Sequence, residues 1–156
     1  LSPSSAASDV YKRQIQDYDA VALCNEVCYM ARMNNEKTGI QIRFTSEVDS
    51  LSLHTDTTRL GHALLSTLTY PQEYEPEEQP EERIIYFTVS RNGGMLQFRI
   101  LNSPLADENF TSQESIIRHE INQLLLAYFG GIYQVNAQGT EGSEIVFAYP
   151  IASESE

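Results

Sequence analysis

The chain has 156 residues and carries 22 Asp and Glu against 10 Lys and Arg, a formal net charge of −12. That imbalance speaks against a nucleic-acid or anionic-membrane surface, and it makes a polyanion costly to attract without a local positive site. Its 41% hydrophobic content fits one globular domain, a size that buries roughly 68–70% of the unfolded surface, and no run of about 18 apolar residues is present to cross a bilayer.

The opening LSPSSAASDVYKRQ lacks an initiator Met, an apolar stretch and a cleavage pattern, so it is not a signal peptide. Its DVYKRQ portion resembles read-through of a transposase adapter used in preparing sequencing libraries. Residues 1–14 are therefore expected to be a disordered technical scar. Residues 15–151 would be the folded C-terminal end of a longer protein, known from metagenomic reads and truncated at that point.

A first helix is expected from about Asp19 to Met33, with Asp17 or Asp19 as N-cap. Val21, Cys24, Val27, Cys28 and Ala31 recur at three- and four-residue steps and form one apolar stripe. The two cysteines share that face and read as reduced core thiols. His54, His62 and His119 show no zinc-ligand spacing and read as packing or surface residues. Gly39 breaks the helical pattern, and IQIRFT then alternates Ile40, Ile42 and Phe44 against polar neighbours, as a half-buried strand does. SLSLH makes a second, shorter strand. A second helix opens at TDTTRL with Thr55 or Asp56 as cap. It runs along Leu60, Ala63, Leu64, Leu65, Thr67 and Leu68 to Tyr70, where Pro71 stops it.

PQEYEPEEQPEER follows, with three prolines and six glutamates between Glu73 and Glu82, and reads as a solvated acidic loop. RIIYFTVSR and MLQFRIL are strands joined by NGG, whose Asn-Gly accepts a positive-φ turn. A loop from Asn102 to Ser112 leads to a third helix, roughly Gln113 to Phe129. Ile117, Ile121, Leu124, Leu125 and Tyr128 are expected on its buried side, with Gly130 closing it. Strands GIYQVNA and SEIVFAYP, linked by QGTEG, end the domain, and residues 152–156 form a polar tail. The order α-β-β-α-β-β-α-β-β predicts an α/β two-layer sandwich, a mixed sheet with helices packed on one face.

Two stretches carry a more specific signal. GGI at 130–132 with the closing GTEGSEIVFAYP, and TDTTRLGHALLSTL with its Asp-x-x-Arg-Leu opening, resemble the ATP-binding domain of sensor histidine kinases. This is the GHKL superfamily (gyrase, Hsp90, histidine kinase, MutL) with its Bergerat fold, and the resemblance runs from about Ile15 to Ile151. It implies a nucleotide pocket whose parts are altered here. The N-box Asn that holds magnesium falls at Ser66; the second falls at Tyr70, followed by Pro71, and the basic residue expected next is Glu73. The Asp of the next box is Asn102, whose amide oxygen can still accept from an adenine amino group. Pro104 replaces the first glycine and removes a backbone donor. SQESIIRHE stands where glycine amides would cradle phosphate at a helix N-terminus, and the lid adds Asp107, Glu108 and Glu114.

The resemblance therefore implies remnants of a nucleotide site at Ser66, Asn102, Ser103, Arg118 and Thr140. Asn102, Ser103 and Thr140 belong to the adenine side, and Arg118 is the surviving cation for phosphate. A packed helical serine and a helix-surface arginine are the plainer readings of Ser66 and Arg118. The expected function is a degenerate, pseudokinase-like signalling module without ordinary ATP turnover, cytoplasmic, and working through neighbouring domains or a partner protein. It needs no cofactor, no catalytic residue and no metal, and any membrane anchor of the parent protein would lie upstream. The alternative is a divergent but active sensor histidine kinase domain that uses Mg-ATP. A third reading is a leftover cavity for an adenine-bearing or other small neutral ligand.

Overall fold

A computed structural model describes residues 15–72, 74, 82–107, 111–139 and 142–151. In chain order the elements are β1 (Ile15–Asp19), α1 (Ala20–Asn34), β2 (Ile40–Ser46), β3 (Ser52–Asp56), α2 (Thr57–Thr67), β4 (Arg83–Asn92) and β5 (Met95–Leu101). A single 3-10 turn (Pro104–Ala106), α3 (Gln113–Tyr128), β6 (Ile132–Gly139) and β7 (Gly142–Pro150) complete the chain. The adapter-like segment, most of the acidic loop and the polar tail lie outside the described residues.

The main sheet has five strands in the order β2-β4-β5-β7-β6. The β2–β4 pair is parallel and the others are antiparallel. Its register stacks apolar residues in rows across the strands. Val89, Phe98, Phe147 and Tyr133 face one another along one row, and Phe44, Phe87, Ile100 and Ile145 along the next. These rows form the sheet's half of the core. The helices supply the other half from a single face, with Cys24, Val27 and Cys28 from α1, Leu60 and Leu64 from α2, and Leu125 and Leu126 from α3. A two-layer α/β sandwich with a mixed sheet results, as the alternation and helical periodicity predict. Both cysteines are free and buried; burial pushes the Cys28 thiol up to about 11 and Cys24 higher still, which keeps them protonated and unreactive.

Asp19 caps α1 by accepting from the Ala22 amide, and its other oxygen accepts from the Leu51 amide across the chain. One carboxylate thus ends β1, starts α1 and ties both to the strand connection. Asp56 caps α2 in the same way through the Arg59 amide.

α2 ends at Thr67 with Leu68 as C-cap, short of the expected Tyr70. Two larger departures stand beside it. Ile15–Asp19 is a strand, paired antiparallel with β3 in a separate two-stranded sheet, with Asp17 against His54 at 2.9 Å. Two aspartates in five residues hide its strand character, because Asp is depleted in strands and only the pairing partner supplies the reason to extend. The second departure is the face of α3. Ile117, Ile121, Leu124 and Tyr128 are exposed, and of the expected stripe only Leu125 is buried. Ser115, Asn122, Leu125 and Leu126 face inward instead. Among the described residues no helix is long and apolar enough to cross a membrane.

Candidate functional site

A cleft of about 480 Å³ opens between the end of α1, the C-terminal half of α2 and the first turns of α3. Asn35, Ser66, Tyr70, Leu105, Glu114 and Arg118 are among the residues that line it. Two helix C-termini form one wall. The α1 C-cap Asn35 donates its Nδ2 to the Leu68 carbonyl at the end of α2, a 2.8 Å bond that locks the helix ends together. The opposite wall is the N-terminus of α3, capped by Ser112, whose Oγ accepts from the Ser115 amide at 3.1 Å.

Hydroxyl groups along the first wall have their protons committed. Ser66 Oγ donates to the Ala63 carbonyl at 2.6 Å, and Thr69 Oγ1 to the Leu65 carbonyl at 3.2 Å. Such helical back-bonds leave oxygen lone pairs, not protons, available to the cleft. Tyr70, on the same side, lies 4.7 Å from the Tyr74 ring centroid and 6.0 Å below the Arg83 guanidinium. An aromatic ring therefore occupies the position where the resemblance calls for an amide.

Asn102 and Ser103 make their hydrogen bonds away from this cleft. Asn102 adopts φ 67°, a left-handed conformation that Asn tolerates. Its Nδ2 donates to the Ile84 carbonyl at 3.0 Å, and Arg83 donates to its backbone oxygen at 3.0 Å. Arg83 also pairs with Asp107 at 2.8 Å. The amide is thus spent at the end of the sheet, and neither Asn102 nor Ser103 is among the residues lining the cleft. Ser103 is fully buried, donating to the Thr67 carbonyl at 2.6 Å and capping the 3-10 turn through the Leu105 amide. Its role there is to hold the turn against α2. Ser66 and Arg118 do share the cleft, and Thr140 lies outside the described residues.

The Asp-x-x-Arg opening of α2 also resolves physically. Asp56, with 1% of its side chain exposed, accepts from the Arg59 amide and sits 3.1 Å from Arg59 Nε. The motif is a cap reinforced by an ion pair. Among the described residues, no group of three or more His, Cys, Asp or Glu is arranged to hold a metal ion.

His119, expected as a packing or surface residue, makes more specific contacts. Nε2 lies 3.1 Å from the Leu105 carbonyl and Nδ1 2.6 Å from the Tyr133 hydroxyl. A carbonyl only accepts, so Nε2 carries the proton and Nδ1 accepts from Tyr133. The neutral ring satisfies both partners and latches α3 onto the cleft wall. Burial, opposed by the bond to Leu105, lowers the His119 pKa, so the folded state binds fewer protons than the unfolded chain. The stabilisation is complete above the unfolded value, about 6.5, and drains away as pH falls toward the lowered folded value. Melting temperature measured between pH 8 and pH 5 should therefore fall more steeply for the wild type than for His119→Gln. Parallel curves would refute the latch.

A second depression, about 510 Å³, runs between the start of α2 and the exposed face of α3, lined by Arg59, His62, Ile121, Leu124 and Phe129 among others. It exists because α3 turns its Ile and Leu residues outward.

No family model matches the chain, and no curated protein matches it in sequence. Solved structures do match it. The nucleotide-free catalytic domain of histidine kinase ThkA superimposes with a TM-score of 0.66 over 88% of this chain and 95% of that one, at 17% identity. The fold is that of a histidine-kinase catalytic domain. ThkA in complex with the response regulator TrrA matches at 15% identity and TM-score 0.66, covering 98% of this chain and 48% of that one. Full-length ShkA in complex with AMPPNP matches at 18% identity and TM-score 0.66, covering 91% and 32%. At these identities the histidine-kinase likeness is one of architecture.

Proposed function

We propose that this is a degenerate histidine-kinase ATPase-like domain, a cytoplasmic pseudokinase module of a signalling protein that works by contact with other domains or a partner. The observation that carries the reading is the start of α3. The amides that would have to cradle phosphate belong to Gln113, Glu114 and Ser115, with no glycine among them, and Ser112 already caps the turn. Glu114 puts a carboxylate on the cleft wall at the same point. The facing wall, built of helix C-termini and hydroxyl lone pairs, repels anions in the same sense. Ser66, spent on the Ala63 carbonyl, and the ring of Tyr70 fit a magnesium-triphosphate poorly.

The exposed apolar ridge of α3 supports the second half of the reading. Contiguous exposed apolar patches mark interaction surfaces, and Ile117, Ile121, Leu124 and Tyr128 project from one helix face. The ThkA–TrrA complex is a precedent for a partner on this architecture.

Isothermal titration of the whole chain with Mg-ATP is expected to give no saturable heat. A dissociation constant below about 100 μM, near −5.5 kcal/mol, together with hydrolysis or phosphotransfer, would overturn the proposal. A second reading, a divergent active kinase domain, is favoured by one observation: Arg118 lines the cleft on the same wall as Glu114, in the same cleft as Ser66. In that case Arg118→Ala and Ser66→Ala would each weaken nucleotide binding, and two unchanged affinities in a protein that binds ATP would remove it.

A further inference from the structure

The cleft that fits a triphosphate poorly has a polarity of its own. Its first wall collects the negative ends of two helices, α1 at Asn35 and α2 at Leu68. Asn35 is only 5% exposed, and its orientation is decided by the bond to the Leu68 carbonyl, which requires the NH₂ group on that side. The remaining oxygen, Oδ1, accepts no hydrogen bond among the described residues. With Ser66 and Thr69 presenting lone pairs alongside, this wall asks for hydrogen-bond donors and positive charge.

The opposite wall is the N-terminal end of α3, the positive end of its dipole. Glu114 and Arg118 stand four residues apart on it, so they are neighbours on one helix face. Neither makes an ion pair or a side-chain hydrogen bond among the described residues. A guanidinium and a carboxylate thus line the cleft across from a wall of acceptors, and Arg118 also borders the second depression. Leu65, Leu105 and Tyr70 supply apolar surface between them.

We propose that this cleft binds a small zwitterion of the amino-acid class with a large apolar side chain. Its carboxylate is held by Arg118 at the start of α3. Its ammonium is held between Glu114 and the oxygens of Asn35, Ser66 and Thr69, and its side chain lies against Leu65 and Tyr70. The proposal rests on the reading that the cleft holds no triphosphate. A cavity of about 480 Å³ lies within the usual range for small-ligand sites. The arrangement answers the chain's acidity: a ligand with no net charge is not excluded by a −12 field.

The test is a thermal-shift and calorimetry series on the full chain with L-phenylalanine and L-leucine. Phenethylamine, which lacks the carboxylate, 3-phenylpropionate, which lacks the ammonium, and Mg-ATP run beside them. At saturating concentration L-phenylalanine or L-leucine should raise the melting temperature by about 3 °C, and each half-ligand by less than half of that. Arg118→Gln should reduce the response to L-phenylalanine to that of phenethylamine, and Glu114→Gln should reduce it to that of 3-phenylpropionate. Both side chains are only half-buried, so both variants should fold, which their unliganded melting temperatures report. No shift with either amino acid, or a shift that both variants retain, overturns the proposal. If the amino acids fail and Mg-ATP also fails, the functional reading stands without the zwitterion; if Mg-ATP binds and displaces them, both fall.

Discussion

Truncating Leu126 to alanine is expected to cost about 2–5 kcal/mol of stability, whereas Leu124→Ala, two residues away on the same helix, should change it by less than about 0.5 kcal/mol. Leu126 is fully buried between α3 and the sheet, and Leu124 is 71% exposed. Denaturant titration of the two variants, followed by circular dichroism, separates them. The comparison matters because the hydrophobic pattern of α3 taken alone points the other way, with Leu124 inside. Equal losses would mean that the helix is rotated from its position in the structure. The exposed ridge, and the interaction surface read from it, would then disappear. The physical basis is the cavity term: removing methyl groups from a packed core leaves a void that the neighbours fill only in part.

Gly131→Ala should cost about 2–3 kcal/mol, because its Cβ would make the closest approach among the glycines whose surroundings are described. Gly130 adopts φ 74° as the chain leaves α3, and the Gly131 amide donates to the Leu126 carbonyl at 2.7 Å. This pulls β6 tightly against the helix end. A Cβ on Gly131 would press into the Ala148 carbonyl oxygen on β7 and stand 3.0 Å from Leu126 Cδ1. The first of these is backbone and cannot give way cheaply, so the corner between α3, β6 and β7 must open. Gly94→Ala is the control. It meets nothing within 4 Å and should leave the melting temperature within about 1 °C of wild type. If Gly131→Ala melts with the control, the close approach at this corner does not exist.

The Gly-Gly pair also shows what can be read without coordinates. A glycine doublet after an apolar helix, followed by alternating residues, signals a tight helix-to-strand turn, and the structure uses it as one. The alternation in β2, β4 and β5 was equally legible, because one face of each strand is more deeply buried than the other. The caps at Asp19 and Asp56 were each one of two candidates, since a carboxylate or hydroxyl before a helix satisfies otherwise unpaired amides; the structure takes the second of each pair. The Bergerat-type resemblance, resting on TDTTRL and the closing strands, agrees with the architecture that the solved histidine-kinase structures share.

Site geometry was less legible. Ser66 and Arg118 meet in one cleft, but Asn102 turns to the Ile84 carbonyl and Ser103 to Thr67, and both partners are distant in sequence. Asn35 gave no local signal at all. It matters only because the end of α2, 33 residues further along, takes its NH₂ and holds the residue at the cleft.

By itself, then, the sequence of this protein determined the strands of the main sheet, the helix starts, the two-layer architecture and the acidity that disfavours polyanions, since each depends on neighbouring residues and their exposure to water. Only the tertiary structure decided that Ile15–Asp19 is a strand, that α3 presents its isoleucines to solvent, and which residues line the cleft. The reason is common to all three. A half-apolar helix or a short polar strand has nearly degenerate local choices. The deciding free energy comes from partners, such as β3 for β1 and Leu105 and Tyr133 for His119, that only the folded chain brings within reach.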